Sequence, residues 1–268
     1  MAHLVRTLGA AVSAFYHRDG DAFVPTELTR GPWDPAAQHA GPPSALLARA
    51  VEADGWIVGR LAIEILRPVP LVPLRVAHRV LRPGRNVELI EATLAEAVGD
   101  RREIARATAW RLRPQDGVPP EAPDPPPPGP ESGREQPFFP TGQAVGYHTA
   151  MDYAFVAGAF LEPGPAVVWM RMRQPLVDAE PPSPLVRVLV AADSGNGVSA
   201  ALDYRRFVFI NTELTVHLVR EPAGEWVCLD AVTRTGERGV GLAESVLWDE
   251  RGRLGRAAQT LLVRPRKP

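Results

Sequence analysis

The stretch "INTELTVHLVR", residues 210–220, alternates apolar and polar side chains for most of its length. Ile210, Thr212, Leu214, Val216 and Leu218 fall on one side of an extended chain, and Asn211, Glu213, Thr215 and His217 on the other. This is a strand with one covered face. Its cover is found upstream in "PLVRVLVAAD" (184–193), where Leu185, Val188, Leu189 and Ala192 recur at helical spacing. Around these two lie further strand-like runs: "AVVWMRMRQPL" (166–176), "EWVCLDAVTRTG" (225–236), "GVGLAESVLWD" (239–249) and "GRAAQTLLVRP" (255–265). Turns such as "DERGR" (249–253) make the neighbours antiparallel.

The first part of the chain repeats that order. A strand, "DAFVPTELT" (21–29), leads to a helix expected over residues 43–53. Long alternating runs follow at 60–70, 74–97 and 102–113. Between the halves, residues 114–140 carry 11 of the 29 prolines and almost no buriable side chain before Phe138, so burial cannot offset the entropy of ordering them. They read as an extended, polyproline-like linker, with recognition by a proline-binding domain as the alternative. The pattern therefore divides the chain into residues 1–113, a linker at 114–140, and residues 141–268. Each half is expected to be a curved antiparallel sheet wrapped around a long central helix, an α+β arrangement.

Bulk properties narrow the partners. Lys+Arg 30 against Asp+Glu 31 leaves a net charge of -1, with Lys267 the only lysine, so nothing calls for nucleic acid or an anionic membrane. Cys228 is the single cysteine, in an apolar run that suggests a packed thiol. The six histidines show no ligand spacing, and no metal site is expected. The start, "MAHLVRTLGAAVSAFYHRDG", reads as an amphipathic lead-in rather than a signal peptide, no apolar run is long enough to span a membrane, and a cytoplasmic location is expected.

The order strand, helix, wrapping antiparallel sheet resembles the hot-dog fold, and two copies with a linker resemble a tandem double hot-dog. "GPWDPAAQHAGPPSALLARAVE" (31–52), the arginine-proline end of "AIEILRP", "NTELTVHL" and "GLAESVLWDERGRLGRAAQTLLV" (241–263) resemble the thioesterase-like family related to acyl-CoA thioesterase II. The resemblance covers about the whole chain outside the linker. It implies a fatty acyl-CoA as substrate and no cofactor; a homodimer, associating through sheet faces, is expected besides. It also implies a site of three polar residues: an aspartate at the end of the second helix, a polar residue, usually threonine, early in the next strand, and a glutamine in the last strand. These fall on Asp193, Asn211 and Gln259. Asn211 departs from threonine; it is preferred over Thr212 because it is expected to share the face of Glu213.

Such a site would hydrolyse a thioester by direct attack of water. Asp193 would act as base or as the water's electrostatic partner, with Asn211 and Gln259 orienting the water through their amides. The resemblance places the N-terminus of the first helix opposite, with Gly41 ahead of Pro42 and Pro43 presenting an N–H to the oxyanion and His39 beside it. Plainer readings stand next to these. "DSGNG" (193–197) is also an ordinary helix stop, Gln259 can serve a structural hydrogen bond, Asn211 can be an edge residue, and His39 can cap the helix start. Two other functions remain open: a non-catalytic acyl or acyl-CoA binder, and a hydratase or dehydratase, which requires His39 and Asp193 to face one another. No G-x-S-x-G elbow, dinucleotide fingerprint or phosphate loop occurs.

Overall fold

The computed structural model describes residues 14–119, 122, 124–138 and 140–266. The amphipathic lead-in read at the N-terminus falls largely outside them. In the first half, β1 (Tyr16–Asp19) and β2 (Ala22–Pro25) precede α1 (Gly41–Val51), followed by β3 (Ile57–Ile65), β4 (Leu74–Arg82), β5 (Val87–Glu96) and β6 (Glu103–Leu112). In the second, β7 (Met151–Ala159) and β8 (Glu162–Met172) precede α2 (Pro184–Ala192) and a short α3 (Gly195–Val198). Then come β9 (Phe207–Asn211), β10 (Glu213–Leu218), β11 (Trp226–Thr235), β12 (Val240–Asp249) and β13 (Gly252–Pro265).

All these strands join one antiparallel sheet in the order β1-β2-β4-β5-β6-β3-β10-β13-β12-β11-β8-β7, with β9 alongside β13. The halves meet where β3 pairs with β10, Ile63 opposite Leu214. Helix α1 lies on β3 to β6, α2 on β8 and β11, and the two helices pack on each other. Small residues permit this closeness. Ala105, Ala107 and Ala109 of β6 and Ala45 and Ala48 of α1 are all buried.

Four expectations change. The first helix begins at Gly41 and ends at Val51, because Pro42 and Pro43 are acceptable in a first turn, where their missing N–H groups cost nothing. The helices are short, 11 and 9 residues, so neither is the long helix expected. The run "DAFVPTELT" is a strand only to Pro25, and Glu27–Thr29 form a 3-10 turn.

The fourth change concerns "INTELTVHLVR". Asn211 pairs with Leu261 and Thr215 with Ala258, so the chain holds one extra residue between them, a β-bulge. The bulge reverses the faces. Leu214, Val216 and Leu218 point inward as expected, but Ile210 is 41% exposed and Phe209 and Asn211 face the interior.

The proline-rich segment forms no strand among the described residues but is laid across the outer face of the second half. There Trp169, Cys228 and Trp248 form a separate apolar cluster, and Trp169 donates its indole N–H to the Pro128 carbonyl at 2.7 Å. Arg134 and Phe155 exchange backbone hydrogen bonds at 2.9 Å.

Candidate active site

The site forms where the N-terminus of α1 meets the C-terminus of α2. A Cβ on Gly41 would lie 2.6 Å from the Val190 carbonyl oxygen, so the two helices touch through backbone. The first intrahelical bond of α1 runs from the Ser44 N–H to the Ala40 carbonyl. Pro42 and Pro43 have no N–H to satisfy, which leaves Ala40 and Gly41 as the donors of the opening turn. Both lie close enough to the Asp193 carboxyl group to stabilise its anion.

Asp193 is the C-cap of α2 and is buried. Desolvation raises its pKa; His39, Asn211 and the Gly41 and Ala40 N–H groups oppose that shift by stabilising the carboxylate. Its Oδ1 accepts from Asn211 Nδ2 at 2.7 Å and Gln259 Nε2 at 3.1 Å. Its Oδ2 lies 3.1 Å from His39 Nδ1.

His39 is held from several sides. Its backbone N–H donates to the Thr29 carbonyl at 2.8 Å, and its ring stacks on Tyr147 at a 3.6 Å centroid distance, almost parallel. Tyr147 is fixed in turn by donating to the Val190 carbonyl at 2.7 Å. The preceding Gln38 accepts from the Tyr16 hydroxyl at 2.6 Å and donates to the Pro70 carbonyl at 2.7 Å. Burial lowers the His39 pKa, with Asp193 pulling the other way, so the imidazole is neutral near pH 7.

The Gly41 N–H also lies 3.1 Å from Nδ1. One ring nitrogen cannot both accept that proton and donate to Asp193. With the proton on Nε2, Nδ1 accepts from Gly41; with the proton on Nδ1, the ring donates to Oδ2 of Asp193. In the second form Nε2 keeps its lone pair and has no hydrogen-bond partner among the described residues.

The five residues singled out in the sequence, His39, Gly41, Asp193, Asn211 and Gln259, therefore gather on one carboxylate. Two details depart from expectation. The Gly41 N–H is already engaged by the cluster instead of being presented to an oxyanion. Gln259 is saturated: its amide donates to both the carbonyl and the carboxylate of Asp193, and its oxygen accepts from the Asn196 N–H at 3.3 Å. It supports Asp193 and has no donor left for a water.

Asn211 uses one amide hydrogen on Asp193 and lines an outer cavity of about 460 Å³, together with His39, Arg67, Arg264 and Arg266. A second cavity of about 30 Å³ lies behind His39, walled by Tyr147, Phe160 and other aromatic groups. Asn196 and Trp33 border both cavities. A larger cleft of about 630 Å³ lies at the other end of the helices, near Glu52 and Trp56, so size alone does not select the site. Asn196 and Tyr147 were not found by sequence reasoning. The signal for Asn196 was present in "DSGNG", which the structure resolves as the stop of α2 followed by the single turn of α3.

A family model for the acyl-CoA thioesterase C-terminal domain matches residues 95–263, and one for the N-terminal domain matches residues 29–112. The chain belongs to the acyl-CoA thioesterase family. Thioester hydrolysis is the general activity that membership supports. A candidate thioesterase II of Thermobifida fusca YX is similar at 20% identity, with 94% of this chain and 95% of that one covered and a TM-score of 0.71. A hot-dog protein of Alicyclobacillus acidocaldarius is similar at 17% identity, covering 94% and 95%, with a TM-score of 0.68. Acyl-CoA thioesterase II TesB2 of Mycobacterium marinum follows at 18%, covering 85% and 89%, at 0.60. At these identities the likeness establishes the hot-dog fold. No curated protein matches the sequence.

Proposed function

We propose that this chain is an acyl-CoA thioesterase built as two hot-dog units in tandem, residues 1–113 and 141–268, each organised on its own helix and joined by the proline-rich segment. It releases a free acid and CoA by direct water attack. The observation that carries this reading is the buried Asp193 carboxylate, which collects His39, Asn211 and Gln259, with His39 lining both the outer cavity and the small aromatic one.

In this reading Asp193 fixes the His39 tautomer and His39 Nε2 is the base, as in other histidine–carboxylate pairs. A water beside Asn211 gives its proton to Nε2 while its oxygen attacks the thioester carbon. The Asn196 side-chain amide supplies a donor for the oxyanion in place of the engaged Gly41 N–H. The intermediate collapses with cleavage of the C–S bond, and the imidazolium returns the proton to the CoA sulfur. Arg67, Arg264 and Arg266 at the outer cavity suit the phosphates of CoA. A cytoplasmic homodimer completes the proposal.

The contact between His39 and Asp193 also meets the geometric requirement of a second reading, addition of water to an enoyl-CoA. Crotonyl-CoA separates the two. Free thiol together with crotonate, its C=C bond intact by product analysis, supports hydrolysis. Loss of enoyl absorbance without thiol supports hydration, and binding with neither supports an acyl-CoA binder.

A further inference from the structure

Three cavities are linked by shared walls, from the start of α1 into the second half. The outer cavity and the small inner one share Trp33, His39 and Asn196 as walls. The inner cavity, in turn, shares Phe138 and Tyr153 with a third space of about 490 Å³, open on the far side near Glu135 and Arg173. Phe138 and Tyr153 are thus the partition between a small pocket of about 30 Å³ and a much larger one.

Phe138 is not part of the sheet. It sits on the proline-rich segment, whose position is set by the Arg134–Phe155 backbone bridge and by Gly133, where a Cβ would fall 2.7 Å from the Ala154 backbone. The ring is wedged among aromatic neighbours, 4.5 Å from Phe160, 5.1 Å from His148 and 6.0 Å from Tyr153 by centroid.

We propose that Phe138 is the stop of the acyl pocket and restricts this chain to short acyl thioesters of about two to four carbons, since a pocket this size holds about two water-sized groups beyond the reacting carbonyl. The proposal rests on the thioesterase reading: the carbonyl lies at the His39 and Asn196 wall and the tail enters the inner cavity. The segment joining the halves is then a specificity element as well as a tether, and removing one ring connects the inner pocket to the third cavity.

The test compares wild type, Phe138→Ala, Phe138→Leu and Phe138→Trp, each checked by thermal melt, in two assays. One is thiol release from saturated acyl-CoAs of two to twelve carbons; the other is calorimetric binding of S-alkyl-CoA thioethers of the same lengths, which cannot turn over. Wild-type kcat/KM is expected to peak at four carbons or fewer and to fall at least tenfold by eight. Each newly buried methylene contributes about fourfold, so Phe138→Ala, by burying about two or three of the four added methylenes, should raise the eight-to-four ratio by about 10- to 100-fold. Phe138→Leu moves it less in the same direction and serves if the alanine variant does not fold; Phe138→Trp lowers it.

Thioether binding with this profile but no thiol release from any thioester sinks the thioesterase reading and leaves the stop standing. Thiol release with a wild-type preference for eight carbons or more, or an unchanged profile in both the alanine and leucine variants, overturns the stop alone. No thioether binding and no turnover at any length overturns both.

Discussion

Replacing Gly41 by Ala probes the contact on which the whole site is built. A Cβ there would lie 2.6 Å from the Val190 carbonyl oxygen and 3.1 Å from His39 Nδ1, whereas ordinary contact begins at 3.4 Å. The N-terminus of α1 must retreat from α2 by about 0.8 Å, with no relief available, because the obstacle is backbone. Overpacking of this kind costs about 1–3 kcal/mol, which for a protein of this size lowers Tm by about 2–12 °C. The same retreat draws the Gly41 N–H and His39 away from Asp193, and a misplacement approaching 1 Å costs about 100-fold in turnover. Thermal melts and kcat/KM for acyl-CoA read the two effects separately. A Gly41→Ala protein that melts within a degree of wild type and turns over within twofold of it would refute the reasoning. The variant also tests the oxyanion role first expected of Gly41, since alanine keeps the N–H.

Three further outcomes follow from the same geometry. Because burial lowers the His39 pKa, the neutral base persists to lower pH: the acid limb of kcat/KM should be centred below 6.5, the ordinary imidazole value, with unit slope, and a limb centred at or above that value contradicts the assignment. Asn211→Ala removes one charge-assisted hydrogen bond from Asp193 and should cost about 10- to 100-fold in kcat/KM, while Asn211→Thr, restoring the family's usual residue, should stay within about tenfold of wild type. Away from the site, Asp249 is buried and takes both of its closest charged contacts, at 2.7 and 2.5 Å, from Arg220. Arg220→Ala should therefore destabilise by about 3–5 kcal/mol in a denaturant titration with the activity of the folded fraction retained.

Much of this molecule could be read directly from its sequence, for reasons specific to each element. The helix in "PLVRVLVAAD" was legible because its apolar positions repeat at one period and all of them are buried. The strand around Asn211 was only half legible. Periodicity counts residues, and one extra residue at the bulge turns every earlier side chain to the other face. Asn211 was therefore preferred over Thr212 on the ground that it shared a face with Glu213; it instead faces inward with Phe209 to reach Asp193, while Glu213 bonds the Thr260 N–H. The residues that gather at Asp193 were marked by resemblance to a family, and no local rule would have placed His39 against a carboxylate 154 positions away. The roles within the cluster depend on how many donors each amide has left, which only the hydrogen-bond partners reveal. Saturation of Gln259 and engagement of the Gly41 N–H are of that kind. Pro42 and Pro43 in the first turn of α1 are explained by the same count, since they remove donors that would otherwise need partners at a buried helix start.

The most direct measurement is free-thiol release from a panel of acyl-CoAs by the wild-type protein and Asp193→Asn in parallel. Wild type is expected to release thiol and free acid in equal amounts on some acyl length, and the variant, which loses the anion that fixes His39, to fall by about 10³- to 10⁴-fold while melting as a folded protein. No thiol from wild type on any length, or a folded variant within tenfold of wild type, would contradict an Asp193-centred thioesterase.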